Sequence, residues 1–113
     1  MERYTVNGHE IEYDTFDIDN LEIYDRETRR IEEMVKGVRA DSENYVSVLR
    51  EICNAVLDFF DTVVGEGTAH DIFGDRVNFR DIIKGFREFS DGVAKEMREA
   101  MPGANRETRR HAK

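Results

Sequence analysis

The sequence has few of the residues that cross-link small extracellular domains or anchor a chain in a membrane. Its 113 residues include one cysteine, Cys53, which cannot form an intrachain disulfide, and one proline, Pro102. The longest apolar run covers the few residues around Phe59 and Val63, far short of the roughly 18 that span a bilayer. No cationic leader followed by an apolar stretch opens the chain at Met1. We therefore expect a cytoplasmic protein without a membrane partner.

Residues that bind metals or perform catalysis are also sparse and scattered. The three histidines, His9, His70 and His111, lie in different segments, and none has a second ligand at a helical spacing. The acidic stretch 14–25 has no register that supplies both the glycine and the closing glutamate of a calcium loop. Cys53 falls in an apolar stripe, which is typical of a buried, inert thiol. We therefore predict no catalytic residue, metal, cofactor or small-molecule substrate.

Acidic residues outnumber basic ones by 25 to 17, and the net charge of −8 disfavours binding to a nucleic-acid backbone. Residues 104–113 carry four basic side chains and one acidic side chain, a net of +3, which leaves −11 on residues 1–103. The same ten residues lack apolar periodicity. We therefore predict a single acidic domain over residues 1–103 and a flexible basic tail over residues 104–113.

Alternating apolar residues flank Asn7-Gly8, the dipeptide that best tolerates a two-residue type I′ turn. This pattern predicts an N-terminal β-hairpin in which Val6 pairs with His9. One face of that hairpin then carries Tyr4, Val6, His9, Ile11 and Tyr13. Phe16 and Ile18 are candidates to extend it. Because an isolated hairpin is only marginally stable, we expect its aromatic face to lie on helices or on another strand.

Three longer segments have the apolar spacing of amphipathic helices. We expect Asp19 or Asn20 to cap the first helix and Asn78 to cap the third, which stops at Pro102. The second begins after Asp41-Ser42 and has the broadest apolar face. Since none of these helices can bury its stripe alone, the predicted fold is α+β and mainly α: the N-terminal hairpin packs on a bundle of three principal helices.

A glycine-rich segment separates the second and third helices. Gly65-Glu66-Gly67 is predicted to end the second helix. Thr68 and Asp71 have the spacing of a capping box for one short helical turn, which Gly74 closes. From Asp58 to Asn78 this region reads DFFDTVVGEGTAHDIFGDRVN, and an aromatic helix follows.

This region resembles the tail assembly chaperones of long-tailed phages and prophages of Gram-positive bacteria. The ending Asn105-Arg106-Glu107-Thr108-Arg109-Arg110 is similar to the arginine-rich endings of such proteins. The resemblance implies a protein that binds and solubilises the tape measure protein during tail tube assembly, acts in the host cytoplasm and is absent from the mature virion. It implies no catalytic residue.

A long client needs many copies to cover it, and a hairpin has a free strand edge, so we also expect self-association.

The partner-binding residues predicted for the phage chaperone are Phe59, Phe60, Phe79, Phe86, Arg106, Arg109 and Arg110. The spacing of the phenylalanines is also typical of a core. The same composition suits a small adaptor or regulatory protein that binds a host or phage factor, and an enzyme with paired carboxylates is a third hypothesis.

Overall fold

The computed structural model describes residues 1–39, 41 and 43–101, and it confirms the predicted fold class. An antiparallel hairpin is followed by three long helices and one short one. The elements are β1 (Glu2–Val6), β2 (His9–Tyr13), α1 (Ile18–Lys36), α2 (Tyr45–Val63), α3 (Thr68–Phe73) and α4 (Phe79–Ala100). Within the described ranges, no helix is both long enough and apolar enough to cross a bilayer. The predicted boundary between domain and tail at residue 103 lies outside them.

The hairpin has the predicted turn and register. Val6 pairs with His9, and the two turn residues have positive φ angles, 49° at Asn7 and 77° at Gly8, as a type I′ turn requires. The suggested extension of the hairpin is wrong, because β2 ends at Tyr13 and Ile18 is already the first residue of α1. The chain leaves the sheet here because Asp14 and the residues after it form the turn that caps α1.

Helix capping differs from the predictions at two of three positions. The Asn78 side chain accepts a hydrogen bond from the Asp81 backbone N–H at 3.1 Å, as predicted for α4. In α1 the capping side chain is Asp17, which accepts from the Asn20 N–H at 3.1 Å, so Asp19 and Asn20 both lie inside the first turn.

The short helix α3 lacks the predicted capping box. Its N-cap is Gly67, which makes no side-chain hydrogen bond. Instead the carboxylate of Asp61, on α2, accepts from the Ala69 backbone N–H at 2.9 Å. The tight turn through Gly65 folds α3 back beside the end of α2, so a side chain from the preceding helix replaces the local one.

Helix α2 lies at the centre of the fold and packs against α1, α3 and α4. Its Phe59 ring is fully buried and meets the rings of Phe86 and Phe60 edge to face, with centroids 5.2 and 5.3 Å apart. Tyr24 of α1 and Phe89 of α4 complete this aromatic cluster, each 6.0 Å from Phe59. The broad apolar face predicted for the second helix is therefore the middle of the core.

The hairpin packs on α4 at positions that only a small residue can occupy. A Cβ atom added at Gly92 would lie 2.7 Å from Cδ1 of Tyr4. The turn is also held in place, since Asn7 donates its backbone N–H to Glu88 at 2.9 Å and its side-chain amide to the Ile72 carbonyl at 3.1 Å. These contacts close one side of the core and leave the opposite flank of α4, next to α1, open.

Candidate protein-binding groove

The four phenylalanines predicted to bind a partner occupy different environments. Phe59 and Phe60 are fully buried and Phe86 is only 7% exposed, whereas Phe79 is 38% exposed. A bound protein could reach Phe59 or Phe60 only if the helices separated, so these two side chains are core residues. Phe79 and the outer edge of Phe86 remain as accessible contacts. The other predicted residues, Arg106, Arg109 and Arg110, lie outside the described residues and stay a prediction.

A groove runs between α1 and α4. Both helices pack on α2, but they run antiparallel and few of their residues approach each other: Tyr24 lies beside Phe89, and Val35, near the end of α1, faces Ile83. We call this cleft, together with the adjoining face of α4 that continues from Ile83 to Phe79, the α1–α4 groove. Its apolar residues are Val35, Phe79, Ile83 and Phe86. Val35 is 36% exposed and Ile83 is half-buried, so the groove presents apolar surface to solvent.

One wall of the groove is basic. Arg80, Lys84 and Arg87 follow each other on α4 at helical spacing, and all three are exposed. We call them the basic ridge. In the part of the chain that the structure describes, none of the three forms a salt bridge. Glu88 and Asp91 line the same face, so carboxylates flank the basic ridge. In a chain whose residues 1–103 carry a net charge of −11, three cations at helical spacing are still a local concentration of positive charge.

Acidic groups also line the groove. Burial is the main reason why the pKa of Tyr24 is raised to about 12, and the carboxylates of Glu32 and Asp91 raise it further. Both therefore lie near Tyr24, and both line the groove together with Arg87 of the basic ridge. The groove thus has an apolar floor with charged groups of both signs along its edges, which restrict how a bound helix can lie in it.

A family model matches residues 7–113, which include both walls of the groove. The chain belongs to the family of unknown function DUF6673. Searches among curated proteins and among solved structures found no match. Membership of this family therefore identifies no substrate or partner for the groove.

Titratable groups in the core of this DUF6673 chain are perturbed by burial. Desolvation raises the pKa of the Cys53 thiol, despite the opposing charge of Arg50, and raises the pKa of Tyr13 to about 12. A raised thiol pKa disfavours the reactive thiolate. Among the described residues, no group of three or more His, Cys, Asp or Glu side chains is placed to hold a metal ion. The perturbed groups are thus explained by packing, and the prediction that the protein is not an enzyme remains a prediction.

The sequence placed every groove residue in a helix but could not identify the groove. Phe79, Ile83 and Phe86 belong to the predicted apolar stripe of the third helix, and Val35 to that of the first. Apolar periodicity shows which side of a helix is apolar, but not how far a neighbouring helix covers it. A usable signal was the run Arg80, Lys84, Arg87, because it places cations beside the apolar stripe in an acidic chain.

Proposed function

We propose that this protein is a tail assembly chaperone that binds the phage tape measure protein in the host cytoplasm, and that amphipathic helices of this client lie in the α1–α4 groove. The observation that carries the proposal is the groove itself, with Val35 and Phe79 exposed on either side of Ile83. The resemblance of residues 58–78 to phage tail assembly chaperones supports the choice of client.

The groove suits one amphipathic helix. A client helix presents apolar residues at three- and four-residue spacing, and the groove presents apolar side chains at the same spacing along the first two turns of α4. Covering both surfaces removes apolar area from water, at roughly 25 cal/mol for each Å². A long helical client outside its tube exposes many such stripes, so the same weak contact repeated along the client keeps it in solution.

Co-expression with a tape measure protein encoded nearby tests the proposal. Soluble client is expected with the wild-type protein and insoluble client without it. The variants Val35→Ser and Phe79→Ser should recover less soluble client, because each removes exposed apolar surface from the groove. Val46→Ser is the matched control, since Val46 is 62% exposed and lies outside the groove. Equal client solubility with and without the protein would rule out the chaperone.

The basic ridge favours a second candidate, an adaptor that recognises one acidic host or phage factor. Apolar client binding should be fairly insensitive to salt, whereas contacts made by Arg80, Lys84 and Arg87 weaken as the Debye length falls from ~10 Å at 0.1 M to ~3 Å at 1 M ionic strength. A partner that is lost at high salt, together with unchanged client solubility, would identify the adaptor.

A further inference from the structure

The beginning of α1 carries a second exposed apolar surface, and this one is acidic. Ile18 is 65% exposed and Phe16 is 38% exposed. Between residues 14 and 25 the chain has five acidic residues and no basic one. We call this region the acidic surface; it consists of Asp14, Phe16, Asp17, Ile18, Asp19 and Glu22, all of them exposed. Unlike a solvated acidic loop, it presents two large apolar side chains among its carboxylates.

The acidic surface is also fixed in shape. Asp17 caps α1 through the Asn20 N–H, and the Asn20 side chain donates to the Asp14 carbonyl at 3.0 Å. Within the described ranges, the carboxylates of Asp14, Asp19 and Glu22 take part in no salt bridge. The apolar side chains and free carboxylates are therefore displayed by an ordered helix start.

The acidic surface and the α1–α4 groove are complementary in chemistry but lie at opposite ends of one helix. The first has apolar side chains among carboxylates, and the second has apolar side chains beside the basic ridge. Ile18 is the first residue of α1 and Val35 is its penultimate residue, so at 1.5 Å per residue they are about 25 Å apart. One folded molecule therefore cannot bring its own two surfaces together, but two copies can.

We propose that the acidic surface of one copy docks into the α1–α4 groove of a second copy. Ile18 and Phe16 then cover the exposed apolar residues of the groove, and the carboxylates of Asp14 and Glu22 face the basic ridge. Because the two surfaces differ, the contact is heterologous and each added copy leaves one free surface of each kind. The inference rests on the proposed function in one respect, namely that the groove is a binding surface. A client helix that occupies the groove would displace the second copy.

The contact is small, so the association is weak and depends on concentration. Wild-type protein should be near its monomer mass of 13.2 kDa when dilute and should gain mass as concentration rises. Charge pairs at the edge of such a contact are screened by salt, so the gain in mass should be larger at about 0.1 M than at about 1 M ionic strength. Light scattering coupled to size exclusion measures both effects without any client.

Two charge-reversal variants test the pairing directly. The groove variant K84E/R87E keeps the acidic surface, and the acidic-surface variant D14K/E22K keeps the groove and the Asp17 cap. Each alone should stay near 13.2 kDa at a concentration where the wild type gains mass. Mixed in equal amounts, they should regain mass, because the acidic surface of the first meets the intact groove of the second, and the reversed lysines of the second meet the reversed glutamates of the first. K95E/R98E is the matched control on α4 and should associate like the wild type.

The apolar part of the contact has its own matched pair of variants. Ile18→Ala should reduce association, whereas Val46→Ala should not, although the two side chains are 65% and 62% exposed.

The proposal is overturned if the wild type stays monomeric at every concentration. It is also overturned if the mass of the wild type increases with concentration and both charge-reversal variants gain mass in the same way. The association would then have another cause, such as strand-edge pairing of β2 or binding of residues 104–113 to the acidic surface. Neither result bears on the client-solubility test. Because these masses are measured without client, a failure of the chaperone proposal would leave them unchanged.

Discussion

Replacing Gly92 with alanine tests how closely the hairpin packs on α4. The added Cβ would lie 2.7 Å from Cδ1 and 3.1 Å from Cε1 of Tyr4, closer than packed carbon atoms normally approach. Tyr4 has little freedom to move away. It is 6% exposed, its ring meets Phe89 edge to face at 5.1 Å, and its hydroxyl shares a hydrogen bond with the buried Thr15 hydroxyl.

Two opposing effects set the size of the change. Alanine is better than glycine inside a helix by about 0.5–1 kcal/mol. Overpacking a closed core costs about 1–3 kcal/mol. Because Tyr4 is buried and held by both Phe89 and Thr15, we expect the second effect to prevail for Gly92→Ala, with a net destabilisation of about 1–2 kcal/mol and a fall in Tm of roughly 4–8 °C for a domain of this size.

Thermal unfolding followed by circular dichroism measures the difference. Gly37→Ala is the control, since a Cβ there meets nothing closer than the Met34 carbonyl at 3.6 Å and Gly37 has an ordinary φ of −83°. That variant should be as stable as the wild type or slightly more stable. If Gly92→Ala unfolds at or above the wild-type temperature, the close packing of Tyr4 against α4 is wrong.

Three further predictions concern a helix cap and buried titratable groups. Asn78→Ala should lower the free energy of unfolding by about 1 kcal/mol in urea titrations, whereas Asn44→Ala, at an N-cap without a side-chain hydrogen bond, should have little effect. The Cys53 thiol, buried and with a raised pKa, should react slowly with a thiol reagent until urea unfolds the chain; equal rates in both states would contradict its burial. Burial raises the pKa of Tyr13 and Tyr24 from 10.0 to about 12, so the folded state keeps these protons longer than the unfolded state, and the stability present below pH 10 should fall as pH rises towards 12. Phenolate absorbance should show ionisation of these tyrosines near pH 12 in the folded protein.

Local sequence patterns were sufficient to predict the elements, because each element has a periodic apolar face and a clear boundary signal. Asn7-Gly8 predicted the turn, and Asn78 predicted the start of α4. The start of α1 was harder, since several adjacent residues can all cap a helix. In the folded turn Asp17 accepts from the Asn20 N–H while the Asn20 side chain donates to the Asp14 carbonyl, a local conformation that residue types alone do not reveal.

The candidate site could be predicted only in part for a similar reason. Phe59, Phe60 and Phe79 looked equivalent in sequence, as aromatic residues in apolar stripes. Their exposure depends on where α2 lies between its neighbours and on the gap between α1 and α4. That gap depends on packing among elements far apart in the chain, which helix periodicity does not report. The sequence therefore left two interpretations open for these phenylalanines, core and partner contact, and the packing places Phe59 and Phe60 in the core.

The anchoring of the hairpin turn to α4 has a consequence for biosynthesis. Asn7 and Glu88, which are joined by a hydrogen bond, are 81 residues apart in the chain. The hairpin is synthesised well before α4 and must therefore wait for that helix before its aromatic face is covered. Contacts of such separation slow folding relative to a purely local helical bundle. A nascent chain that stalls before α4 would carry Tyr4 and Val6 uncovered beside an open strand edge, the state of this protein most prone to aggregate.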